Sequence, residues 1–175
     1  VMSCTIHGKP ISVFIVDEAY RAGRSYWGYS EPLFGEPPEF PFMHKLYNEM
    51  WDGALDQLDF GHVYSSEHST SLMCKSAEPG VPNIAQLVRS INIGLQLDVP
   101  SIGILARIYC DRHIIDSMDP TIDKSNNLHI RFKHGCWSST EYCGYYGWLV
   151  INHELFNTTI EGKSYDIYTV PVCVL

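Results

Sequence analysis

Positive charge is scarce in this 175-residue sequence: 12 Lys and Arg stand against 20 Asp and Glu, a formal net charge of -8. An acidic chain has no basic field to draw in a phosphate backbone, so bulk nucleic-acid binding is not expected. Long apolar runs are missing too. No stretch reaches the roughly 18 apolar residues of a membrane span, and the N-terminal stretch lacks the basic start and long apolar core of a signal peptide. These absences predict a soluble chain, and an initial Val1 fits a processed or excised product. Internal repeats and low-complexity tracts are absent as well. Length and a hydrophobic share of 45% instead fit one compact domain over 1–175.

Cysteine is present but sparse. The six cysteines belong to a chain long enough to build its own core, so a disulfide scaffold is not required. Cys4, Cys74, Cys110 and Cys173 sit in apolar contexts where a reduced thiol acts as a small hydrophobe. Reduced thiols slightly favour a cytoplasmic over a secreted setting, and the single sequon Asn157-Thr158-Thr159 shifts that balance little.

Along the chain, apolar and β-branched residues at 4–6 and 11–16 flank His7-Gly8-Lys9-Pro10, the pattern of an N-terminal hairpin. Its second arm is continuously apolar, which predicts a strand covered on both faces and placed centrally in a sheet. Residues 21–41 mix Tyr26, Trp27 and Tyr29 with five Gly and Pro residues from Pro32 to Pro41, predicting a long aromatic loop. Met43, Leu46, Tyr47, Met50, Ala54, Leu55 and Leu58 recur at helical spacing, as do Ile84, Leu87, Val88, Ile91 and Leu95. Two central amphipathic helices are expected, with a short strand at 62–64 and a turn over 65–71. Residues 102–109, 128–133, 145–152 and 165–175 look extended, giving about four C-terminal strands. The expected class is α+β, with a mostly antiparallel or mixed sheet and the two helices packed on one face.

Chemical motifs are fragmentary. Val13-Phe14-Ile15-Val16-Asp17-Glu18 resembles a Walker B strand, but no G-x-x-x-x-G-K-[ST] loop precedes it to wrap a phosphate. Cys143-Gly144 is similar to the nucleophile context of chymotrypsin-like viral cysteine proteases, whose double β-barrel the central helices do not match. His68-Ser69-Thr70-Ser71-Leu72 resembles one element of the two-histidine phosphoesterases, yet Arg131 stands where the partner element at His129 needs a hydroxyl. Cys110-x-x-His113 and His134-x-Cys136 are the residue types zinc prefers, which makes zinc the one cofactor suggested and Cys110, His113, His134 and Cys136 its candidate ligands. A Cys136–Cys143 disulfide is the competing reading of that region.

Two functions follow. The first is a non-catalytic recognition domain that binds a protein or small-molecule ligand through Tyr26, Trp27 and Tyr29, because rigid aromatic side chains dominate recognition surfaces. An acidic, aromatic surface suits neutral ligands or basic partners. The alternative is a small hydrolase, metal-assisted or acting by His and carboxylate acid–base chemistry on a phosphoester, with His68, Asp111 and His113 as catalytic candidates.

Overall fold

A computed structural model of the chain describes residues 2–6, 9–15, 23–31, 33, 66–118, 127–152 and 156–175. The expected helix at 43–58 and strand at 62–64 lie outside the described residues. At the N-terminus the expected hairpin is present: β1 (Met2–Ile6) pairs antiparallel with β2 (Lys9–Ile15), Ile6 opposite Lys9. The apolar second arm is indeed the middle strand, flanked on its other side by the last strand, β6 (Val172–Val174).

A second antiparallel sheet carries the order β3 (Cys136–Glu141), β4 (Tyr146–Asn152), β5 (Phe156–Gly162). Side chains along β4 alternate between two cores. Trp148 and Val150 join one apolar cluster, while Leu149 and Ile151 join the other. Such alternation is the period of a strand, and burial on both sides requires a cover on each face.

Helices supply both covers. Helix α1 (Ser66–Lys75) and helix α2 (Ile84–Ser90) contribute Met73, Ile84, Ala85 and Val88 to the cluster that also holds Leu149. Helix α3 (Ile102–Met118) and helix α4 (Leu128–His134) line the cluster around Trp148 and Val150 with Leu105, Ile108, Leu128 and Phe132. The α+β class therefore holds, and four strands do follow residue 135, but several positions are corrected. Residues 102–109 and 128–133, expected as strands, are helical, and the expected turn at 65–71 opens α1. Strands β3 and β5 take the two places so vacated, so helices cover both sheet faces rather than one.

Local reasons account for these corrections. In α3 the apolar residues Ile102, Ile104, Leu105, Ile108 and Tyr109 surround the first turns because that end is buried, so the one-sided stripe of a surface helix is lost. In α4, Leu128, Ile130 and Phe132 alternate with polar residues as a strand would. End groups decide for helix: Asn127 accepts from Ile130 N at 3.0 Å, and the Asp116 carboxylate accepts from Leu128 N and His129 N. Gly135, at φ 90°, closes α4 in a conformation open to glycine. Helix α1 buries hydroxyls where an apolar stripe would normally lie. Thr70 Oγ1 accepts from Val99 N at 2.9 Å, Ser69 Oγ bonds Ser139 Oγ at 2.7 Å, and Ser66 Oγ accepts from Ser101 N.

Among the described residues, no helix is long and apolar enough to cross a membrane.

Candidate functional site

The described part of the 21–41 loop, residues 23–31 and 33, runs extended across one end of the β3–β4–β5 sheet. An extended chain sends successive side chains to opposite sides. Ser25 and Trp27 accordingly turn inwards with half-buried Tyr26 between them, and the alternation ends at buried Gly28, after which Tyr29 is exposed. Trp27 is fully buried, its Nε1 donating to Ser138 O at 2.8 Å. This corrects the expectation for Trp27, which is a core side chain and presents nothing to a ligand.

Backbone bonds seat the loop. Ser25 and Ile167 exchange N–H···O bonds at 3.1 Å each, Trp27 N donates to Lys163 O at 2.7 Å, and Tyr29 N donates to Ser76 O at 3.2 Å. Asn83, the N-cap of α2, donates from Nδ2 to Trp27 O and Met73 O while its Oδ1 accepts from Gln86 N. One side chain thus ties loop, α1 and α2 together. The Tyr26 hydroxyl donates to Val81 O at 3.0 Å and accepts from Glu78 N.

Beneath the loop lies an ion pair that nothing in the sequence advertised. Lys163 is fully buried; its Nζ bonds the Glu141 carboxylate, donates to Glu31 O at 2.9 Å, and sits 4.5 Å from the centre of the Trp27 ring. Glu141 Oε1 also accepts from Leu33 N at 2.9 Å. Burial pulls the Lys163 ammonium below its ordinary pKa, while the hydrogen bond and charge of Glu141 hold it up. One bond goes to Glu141 on β3 and one to the Glu31 carbonyl of the loop, so the cation latches the aromatic segment to the sheet.

Above this latch a cavity of about 470 Å³ opens to solvent, lined by Tyr26, Gly28, Tyr29, Ser30 and Glu31 from the loop, Glu78 from the α1–α2 connection and Ser164 from the turn after β5. Its surroundings are rich in exposed tyrosine. Tyr142, Tyr145 and Tyr146 sit at the β3–β4 turn and Tyr165 beside Ser164, all exposed. The turns meet because Lys163 N donates to Tyr145 O at 2.9 Å. Glu78 and Ser164 are single residues from distant segments, and only folding brings them to Tyr26, Tyr29 and Glu31.

The other candidates do not converge. Cys136 is buried in the core, where loss of solvent pushes its thiol up to about 12. Cys110 is exposed on α3, and exposed His134 lies against Tyr168, ring centres 6.1 Å apart. His113 faces His129 at 5.3 Å. No group of three or more His, Cys, Asp or Glu residues is placed to hold a metal among the described residues, so the four proposed zinc ligands are not assembled. Cys136 and Cys143 are both free thiols, as are Cys74, Cys110 and Cys173. The hydrolase candidates are also separated. Asp111, midway along α3, bonds Arg107 at 3.0 Å, and His68 rides on α1, whose first residue is tied to Ser101 just before the N-terminal end of α3. Ten helical residues from that end to Asp111 amount to roughly 15 Å.

Comparison with family models, curated proteins and solved structures finds no match to this chain.

Proposed function

We propose that the chain is a non-catalytic recognition domain whose binding surface is the cavity between Tyr26 and Tyr29, extended by the tyrosines of the neighbouring turns. One observation carries this reading. The outward tyrosines stand on a segment anchored by buried Trp27, Asn83 and Lys163, so aromatic surface is offered to solvent on a fixed base. Side chains held in this way lose little freedom on binding, and tyrosine combines apolar area with a hydroxyl for orientation. The exposed Glu31 and Glu78 carboxylates at the cavity favour neutral or basic ligands over anions.

A panel of neutral oligosaccharides and short peptides, followed through the backbone amide resonances of Gly28, Tyr29, Ser30 and Ser164, tests the proposal. Binding by a panel member should move these four resonances first. Tyr29→Ala should then weaken binding about tenfold, the scale of an interface tyrosine, with the melting temperature nearly unchanged. Ligand-induced shifts confined to another surface, or no shifts with any member, would count against it.

A further inference from the structure

Charge and ring chemistry narrow what the cavity takes. Among the described residues its lining holds two exposed carboxylates, Glu31 and Glu78, two tyrosines and two serine hydroxyls, and no cation. Lys163 lies buried below with its ammonium on Glu141 and on the Glu31 carbonyl, and the charge of the Glu31 carboxylate acts on it only after that of Glu141. A neutral ligand would strip water from both carboxylates without replacing it by a counter-charge, whereas a cation repays that cost. Tyrosine faces carry negative quadrupole charge and attract guanidinium or ammonium groups. Burial holds the Tyr26 phenol above its ordinary pKa against the hydrogen bond from Glu78 N, and the charges of Glu78 and Tyr29 add to the rise. A volume of about 470 Å³ holds a long side chain with part of its backbone.

We infer that the cavity bounded by Tyr26, Tyr29, Glu31 and Glu78 receives an arginine side chain from a basic peptide segment of a partner protein. The inference rests on the recognition reading above and adds the class of ligand. Arginine fits better than lysine, because its planar fork can meet a carboxylate with two parallel bonds while its face lies on a tyrosine ring. A peptide fits better than a free amino acid, because Tyr142, Tyr145, Tyr146 and Tyr165 extend the exposed surface well beyond the cavity.

Calorimetric titration with a blocked pentapeptide carrying one central arginine among glycines, its citrulline counterpart and free arginine amide provides the test. Citrulline keeps the shape and removes the charge. The arginine peptide should bind at least about tenfold more tightly than the citrulline peptide, and more tightly than arginine amide. Its affinity should fall with salt, and the E31Q/E78Q double variant, checked for an unchanged melting temperature, should lose about tenfold. Equal binding of both peptides, or an unaltered affinity in the double variant, would overturn the cationic assignment. Amide shifts at Tyr29 and Ser164 with a neutral oligosaccharide but not with the arginine peptide would overturn it as well, while leaving the recognition reading standing. If arginine amide matches the peptide, the peptide assignment fails.

Discussion

Trp27 shows how much a neighbour in sequence can differ in role. It lies between Tyr26 and Gly28, both at the cavity, yet its ring fills the space under β4 so closely that a Cβ on Gly147 would meet it at 3.0 Å. A fully buried tryptophan cut back to alanine leaves a large void and an unanswered Ser138 carbonyl, so Trp27→Ala should cost about 3–5 kcal/mol in urea unfolding. A loss below about 1 kcal/mol would show that the ring is not core. The Lys163–Glu141 pair is a different kind of buried group. Its worth lies less in net stability than in specifying where the loop sits, since a buried ion pair roughly offsets its own desolvation. Neither role is visible in a string of residues: Trp27, Tyr26 and Tyr29 are equally suited to a core or a surface, and Lys163 is an unremarked lysine in a turn.

At the scale of elements, end groups and buried hydroxyls set what periodicity left open. The hairpin, the central β2 strand, helix α2 and strand β4 are legible in the sequence because each carries an unmixed local pattern. Helices α1, α3 and α4 are not. Ser and Thr dominate α1, apolar residues surround the start of α3, and α4 alternates over too few residues for its caps to be outvoted by eye. Asn83 illustrates the leverage of a cap. Loss of a capping side chain alone costs about 1 kcal/mol, but Asn83→Ala would also remove the side-chain donor to the Trp27 carbonyl and one of the three donors to the Met73 carbonyl. An overall loss of about 2–4 kcal/mol is expected by denaturant unfolding, with Asn83→Asp recovering only the cap. Full recovery by aspartate would show that the two carbonyl bonds contribute nothing.

The molecule as a whole is joined where Asp98 meets β6. Asp98 N donates to Val172 O at 2.7 Å and Val172 N returns a bond to Asp98 O at 2.9 Å, carrying the connection between α2 and α3 onto the N-terminal sheet. The Asp98 side chain is buried beside Arg89, 2.8 Å from Nη2. Burial raises its pKa from 3.8 to about 6, against the pull of Arg89 and with help from Glu67. The folded state therefore binds this proton more tightly than the unfolded chain does. Stability from the protonated form is complete below about pH 4 and is lost as pH rises through about 6. Relative to Asp98→Asn, the protein should lose roughly 2–3 kcal/mol between pH 4 and pH 7, at about 1.4 kcal/mol per pK unit. Parallel stability profiles for the two proteins over that range would refute the shift.

Net acidity, the α+β class and the hairpin follow from composition and short-range pattern, because charge adds up residue by residue and a strand's period shows in a handful of positions. The partition of Tyr26 and Tyr29 from Trp27, the burial of Lys163 on Glu141, and the meeting of Glu31, Glu78 and Ser164 required the folded chain. These contacts join residues from 22 apart, for Lys163 and Glu141, to 132 apart, for Lys163 and Glu31, and no local rule of spacing encodes them.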